Sequence, residues 1–220
     1  MIKAVVFDLD DTLCPEIEYV KSGFRAIANA FGDEQLYEKL YNLFQDDKAN
    51  VYQRAGFGYE QCKKCIDIYR NHIPDINLKQ DVIDTLKTLK YYGYKLGIIT
   101  DGRPEGQRNK INALGLDKCM DYIIITDELG GIKYRKPNPK AFEIMRKVFN
   151  VEFDEMVYVG DNPEKDFFIG SIYPIMTIRV MSKGIYDSGD YLDSVKESFR
   201  VNSIAEIKEY IDDRCTYYKS

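Results

Sequence analysis

Residues 3–14 read Lys-Ala-Val-Val-Phe-Asp-Leu-Asp-Asp-Thr-Leu-Cys, and the fold turns on them. The run from Ala4 to Phe7 is apolar almost without a break and carries β-branched and aromatic members, which is how a strand buried on both faces looks in sequence. It ends at once on Asp8, Asp10 and Asp11. In an open parallel sheet the reactive groups collect beyond the carboxyl ends of the strands, so this junction marks both a first strand and a candidate site.

Working outward, the rhythm becomes helical from about residue 16 to His72. Ile17, Val20, Phe24, Ile27 and Phe31 fall on one face, Leu36, Leu40, Leu43 and Phe44 on another, and a third segment runs from Tyr59 to Tyr69. No strand-like run interrupts them. Beyond His72 strands and helices alternate. A helix over residues 78–92 closes on Gly93, a strand follows at 96–99, and Pro104 opens a helix that runs toward Leu114 and ends at Gly115. Next come a strand at 122–125, a helix capped by Asn138 with Pro139 at its first position, and a strand at 156–159. A short helix from near Pro163 then leads to a strand at 175–180. Residues 182–194 read as loop and 204–211 as a closing helix. Such alternation predicts an α/β fold with a parallel sheet covered on both faces. Because the first strand cannot stay unpaired, residues 1–15 and 85–220 are expected to form one core. Residues 16–84 are then an inserted helical domain on two hinges.

Composition sets the outer limits. The chain has 220 residues, 45% hydrophobic and 30% charged, with a formal charge of −5, enough for a sizeable core. That charge and the lack of any long basic block argue against nucleic acid as a partner. No stretch approaches the roughly 20 apolar residues that cross a bilayer, and the short run at Ala4 is no secretory segment. A cytoplasmic protein, monomeric or homodimeric, is expected. Five cysteines, Cys14, Cys62, Cys65, Cys119 and Cys215, are an odd number and are expected to be reduced thiols. Cys62-Lys63-Lys64-Cys65 has redox or zinc spacing. Without a second pair it reads as two thiols on a helix that also carries Ile66 and Tyr69. The single histidine, His72, reads as a helix-end or surface residue.

Four strand ends carry polar groups that belong together: Asp8 and Asp10, then Thr100-Asp101-Gly102, then Lys136, then Asp161 with Asp166. Asp8 and Asp10 can reach one mouth of the sheet while Leu9 points elsewhere. Neighbouring carboxylates repel, which calls for a metal, a shared proton or divided roles. An ionised aspartate needs no base to act as a nucleophile, which suits Asp8. A second carboxyl can protonate a leaving alcohol and later deprotonate water, which suits Asp10. Phosphoryl transfer needs its equatorial oxygens neutralised. Mg²⁺ is held by one or two carboxylates plus phosphate, and Asp161 is placed to be such a ligand beside Asp8. Lys136 supplies a point charge, while the Thr100 hydroxyl and the N–H groups at Asp101 and Gly102 can donate to phosphate oxygens.

Asp-Leu-Asp-Asp-Thr-Leu at 8–13, Ile-Thr-Asp-Gly at 99–102, Lys-Pro-Asn-Pro at 136–139 and Gly-Asp-Asn-Pro-Glu-Lys-Asp at 160–166 stand in that order. Together they resemble the four motifs of the haloacid dehalogenase-like hydrolase superfamily. The inserted helices resemble that family's type C1 cap. The resemblance covers about residues 3–180 and implies a Rossmann-like core and Mg²⁺. It implies Asp8 as nucleophile and metal ligand, and Asp10 as acid and base, contributing its backbone carbonyl to the metal. Thr100 and Lys136 would bind phosphate, Asp161 would complete the metal site, and Asp166 would stand behind it. Two departures are Asp11, where many sugar-phosphate members have glycine, and residues 170–174 in place of a small-residue turn.

The expected activity is hydrolysis of a small phosphomonoester, a sugar phosphate or nucleotide, through a phosphoaspartate. A phosphosugar mutase would share all four motifs. A haloacid dehalogenase would not need Asp10, because halide leaves without a proton, and a non-catalytic scaffold would normally lose the nucleophile or metal ligand. Substrate choice is expected to lie in the inserted helices. Tyr52, Arg54, Tyr59, Lys63 and Lys64 are polar there, but a solvated helix face explains them as well.

Overall fold

Strand β1 (Ala4–Phe7) is buried along its whole length at the centre of a six-stranded sheet in the computed structural model, which describes residues 1–182, 184 and 189–211. Four helices follow it, α1 (Glu16–Phe31), α2 (Glu34–Asp46), α3 (Val51–Arg54) and α4 (Tyr59–Asn71). Next come α5 (Gln80–Tyr91), β2 (Lys95–Thr100), α6 (Pro104–Ala113), β3 (Tyr122–Ile125) and α7 (Lys140–Phe149). The chain continues through β4 (Met156–Gly160), α8 (Ile169–Ile172), β5 (Met176–Val180), β6 (Phe199–Val201) and α9 (Lys208–Ile211). The strand order is β3-β2-β1-β4-β5-β6 and every pairing is parallel, which is the Rossmann-like α/β arrangement expected. The order reverses between β1 and β4, so the mouth there is the switch point.

Side chains of β1 and β4 alternate between two cores. Val5, Phe7, Val157 and Val159 join a cluster with α5 and residues 204–211, whereas Ala4, Val6, Met156 and Tyr158 join one with α7. Covering both faces is what lets these strands run apolar throughout, and each buried large aliphatic contributes about 1.5–3 kcal/mol. A third cluster belongs to α1 through α4, built from Val20, Phe24, Ile27, Leu36, Leu40 and Phe44 among others. Gly32, left-handed at φ 63°, ends α1, and Asp33 caps α2 by accepting from Gln35 N.

Several details differ from the sequence-based expectation. The boundary placed at residue 84 falls inside α5, whose buried Val82, Leu86 and Leu89 pack with the sheet core. The change from one cluster to the other therefore occurs between α4 and α5, where Ile76 already belongs to the sheet core. α7 begins at Lys140, with Pro139 at its cap and Asn138 Oδ1 accepting from Lys140 N at 2.9 Å. Residues 163–166 form turns rather than a helix, because Asn162 and Asp166 spend their side chains on local backbone N–H groups; the helix there is α8. β6 carries three residues, too few for a periodicity. Within the loop expected at 182–194, residues 183 and 185–188 lie outside the described residues, as does Cys215. The other four cysteines are free, with Cys62 and Cys65 buried among the inserted helices. His72 caps the end of α4, bonded to Tyr69 O and Ser22 Oγ. Among the described residues no helix is long and apolar enough to cross a membrane.

Candidate active site

The turn after β1 folds back on itself. Leu13 N and Cys14 N donate to Leu9 O, and Asp11 N donates to Cys14 O. Asp11 adopts φ 54°, a left-handed backbone that explains why glycine suits the position, and its Oδ1 accepts from Glu16 N at the start of α1. This turn delivers Asp8 to the mouth between β1 and β4, where Asp161 follows β4. One carboxylate oxygen from each of Asp8, Asp161 and Asp166 can be chosen so that all three lie within 4.8 Å of one another.

Lys136 anchors this cluster from beneath. Its ammonium lies 2.9 Å from Asp8 Oδ1, 2.8 Å from Asp166 Oδ1 and 2.8 Å from the Tyr158 hydroxyl, with none of its side chain exposed. That ion pair is the one close polar contact of Asp8 Oδ1, a buried oxygen that accepts no other hydrogen bond among the described residues. Asp166 is further held by donation from Asn162 N to Oδ2 and from Tyr158 to Oδ1. Asp161 Oδ1 accepts from Thr12 Oγ1 at 3.1 Å.

Electrostatics separate the carboxyls. Burial pushes Asp8 up to about 6 even against the pull of Lys136 and Lys165. Burial, with Asp166, Asp8 and Asp11 nearby, pushes Asp161 up to about 8. Burial works the same way on Asp166, but Lys136 and Lys165 outweigh it and hold that carboxyl below its usual value. Lys136 is raised well above the ordinary lysine range, its burial overcome by Asp166 and Asp8. Three crowded, partly neutralised carboxylates, each with an oxygen within 4.8 Å of the others, are a donor set of hard oxygen ligands, and that set fits Mg²⁺.

A cavity of about 890 Å³ opens from this cluster toward α4 and is lined by Asp8, Asp10 and Asp161 from the core and by Tyr52, Asp67 and Arg70 from the inserted helices. Asp101 and Gly102 also reach its wall, as does Lys165, which pairs with Asp101 at 3.5 Å. Asp101 Oδ1 accepts from Thr126 Oγ1 and Lys136 N, so this carboxylate braces the floor. Thr100 is fully buried, and neither it nor Lys136 is on the cavity wall. Asp10 faces the cavity from the side. Its Oδ1 accepts from Lys110 Nζ at 2.5 Å and its Oδ2 from Gln107 Nε2 at 2.8 Å. Burial works to raise Asp10, but Lys110 and Gln107 prevail and leave it below the usual carboxylate value.

The structure thus brings together Asp8, Asp161 and Asp166 as one cluster, with Asp10 beside it and Asp101 and Gly102 on the shared wall. Gln107, Lys110, Tyr158, Lys165 and Glu16 were not foreseen. A signal existed for two of them: Gln107 shares a helical face with Ile111 and Leu114, and Lys110 adjoins it, so both are polar residues where an apolar stripe should run. Of the polar residues noted on the inserted helices, Tyr52 lines the cavity. Arg54 instead donates to Leu43 O and Asp47 O and pairs with Asp46, while Lys64 lies over the Phe31 ring. Tyr59 is 81% exposed, and Lys63 also faces solvent.

The family model for haloacid dehalogenase-like hydrolases matches residues 5–180. A glyceraldehyde 3-phosphate phosphatase from Methanopyrus kandleri is 28% identical over 96% of this chain and 97% of its own length. Its counterpart from Pyrococcus abyssi is 32% identical over 76% of each chain. Among solved structures, the HAD-hydrolase YfnB from Bacillus subtilis, bound to magnesium, superposes with a TM-score of 0.70 at 14% identity, covering 96% of this chain and 99% of that one.

Proposed function

The chain belongs to the haloacid dehalogenase-like hydrolase family and is a phosphatase-type hydrolase, and from that premise we propose that it is a Mg²⁺-dependent phosphatase of small phosphomonoesters that works through a phosphoaspartate at Asp8. The observation that carries this reading is Asp8 itself: a buried carboxylate at the switch point, ion-paired with Lys136 and clustered with Asp161 and Asp166, on the wall of a cavity large enough for a small metabolite. Asp8 and Asp161 would hold the cation with the Asp10 backbone carbonyl, and Asp166 would fix Lys136 beneath them. The cation would neutralise charge on the phosphate oxygens.

In the first step an Asp8 carboxylate oxygen bonds to phosphorus as the ester P–O bond breaks, and the leaving oxygen takes a proton from Asp10. In the second, water gives its proton to Asp10 and its oxygen to phosphorus, and the bond to Asp8 breaks to release phosphate. The ionised state of Asp10 in the free protein suits the second step. For the first, the phosphate dianion beside it raises its proton affinity, as like charges do. Lys165, Asp101 and Gly102 line the phosphate end, with Thr100 and Lys136 just beneath. The inserted helices close over the leaving group, which favours small substrates. The names of the relatives put triose phosphates at the head of the list.

A panel of phosphometabolites including glyceraldehyde 3-phosphate, assayed with Mg²⁺ by phosphate release, tests the reading. Turnover of small esters, its loss in Asp8→Asn with the fold retained, and an acid-stable phosphate adduct mapped to Asp8 are expected. An adduct on another residue, or a rate indifferent to chelators, would overturn it.

A further inference from the structure

The carboxyl of Asp10 is gripped at both oxygens by one rigid element. Lys110 and Gln107 sit three residues apart on α6, so the donors at 2.5 Å and 2.8 Å are set by a core helix and not by the turn that carries Asp10. Gln107 is itself fixed, since the same Nε2 lies 2.9 Å from Thr100 Oγ1 and 2.7 Å from Asp101 O. Gly102 makes room for it, because a Cβ there would come within 3.1 Å of that nitrogen. On its other side the Lys110 ammonium lies 4.4 Å from the ring centroid of Tyr19 in α1. The lysine side chain is only 7% exposed. Stability gives little reason for such a placement, since a buried ion pair often does no better than an apolar residue of similar volume. Position does give one, because a displacement of an ångström costs a catalytic group much of its effect.

We propose that Lys110 and Gln107 are positioning residues that aim the Asp10 carboxyl first at the leaving oxygen and then at the attacking water. This rests on the reading of Asp10 as acid and base. The two steps need Asp10 unequally. Nitrophenolate leaves without help, so an aryl ester loses only the second step when Asp10 is misplaced, whereas an alkyl ester loses the first.

The test compares Lys110→Met, Gln107→Leu and Asp10→Asn on p-nitrophenyl phosphate and on glycerol 3-phosphate, with circular dichroism to confirm folding and Gln107→Leu carrying the test should Lys110→Met not fold. For both helix variants kcat on the alkyl ester should fall roughly 10- to 100-fold, short of the full 10²–10⁴ of acid–base catalysis, with KM little changed. On the aryl ester they should show a burst of nitrophenol and accumulate phosphoenzyme, trapped by acid quench. If Asp10→Asn shows no burst, the reading of Asp10 fails and the inference with it. If Asp10→Asn shows one but the two helix variants lose both substrates equally without phosphoenzyme, or lose nothing, the positioning role alone is overturned.

Discussion

Replacing Glu16 by glutamine should stabilise the protein increasingly as pH rises from about 4.5 to about 7, and fully above that. Glu16 opens α1, where the helix dipole ordinarily favours a carboxylate. Here burial, with Asp10 and Asp11 nearby, outweighs the help of Lys110 and pushes the carboxyl from 4.5 up to about 7. Among the described residues no group hydrogen-bonds or ion-pairs with its carboxyl group. The folded state thus binds the proton more tightly than the unfolded chain. Stability linked to Glu16 is complete below about 4.5, declines as pH rises, and is lost once pH passes about 7. The interval between the two values, at 1.36 kcal/mol per pH unit, corresponds to about 3 kcal/mol. Glu16→Gln keeps the shape and removes the titration. For a chain of this size the gain should appear as roughly 6–12 °C in Tm at pH 8, shrinking toward nothing near pH 5. Thermal melts by circular dichroism from pH 5 to 8, with chelator present so that no bound cation changes the local field, would measure it. A difference that stays constant across that range, or a variant less stable at pH 8, would refute the reasoning.

Three further outcomes follow from close approaches and charge. In Gly160→Ala the new Cβ would lie 2.5 Å from Asp166 Oδ2, so the carboxylate must move; the Mg²⁺ concentration for half-maximal activity should rise roughly 10- to 100-fold, read by metal titration of the rate. In Gly23→Ala the Cβ would meet the Tyr69 ring at 2.4 Å within the inserted helices. Overpacking there should cost about 1–3 kcal/mol in chemical denaturation and raise KM, because Tyr69 also lines the cavity. Binding of inorganic phosphate, followed by calorimetry, should be detectable with Mg²⁺ and vanish with chelator; equal affinity in both would mean that side chains alone hold the anion.

The parts of this protein that were legible in its sequence are those where one residue type has one plausible cause. Val5 to Phe7 had to be a doubly buried strand, since no half-exposed strand runs apolar without alternation. The strand-end carboxylates were legible as a group because Asp8 follows an apolar run directly and Asp161 follows one across a single glycine. Residues whose role depends on where a distant helix lies were not. Lys110 stands 100 residues from Asp10 in the chain, and its place beside the apolar stripe of α6 marks it as unusual without naming its partner. Tyr158 looks like any aromatic strand residue until Lys136 and Asp166 are found against its hydroxyl. The change of core between α4 and α5 was hidden because both helices carry the same periodicity, and only packing shows which core each one joins.

The charges on the cavity wall constrain what can bind there. Carboxyl side chains outnumber cationic ones on that wall, and three of the cations are already engaged: Lys110 with Asp10, Arg135 with Asp127 and Lys165 with Asp101. Lys136, the cation nearest Asp8, is sealed beneath it, so its charge goes to holding Asp8 and Asp166 together. A bare phosphate dianion reaching Asp8 would lie beside the Asp8 and Asp161 carboxylates, and like charges repel strongly in a desolvated site. In the proposed reaction a hard divalent cation held by those same carboxylates would reverse the field at the point where the dianion must arrive, and its charge would offset the burial that raises Asp8 and Asp161. On the proposed reading, nucleophile and metal ligand are one requirement: the carboxylate that would attack phosphorus and the phosphate dianion repel each other unless a cation beside both offsets their charge.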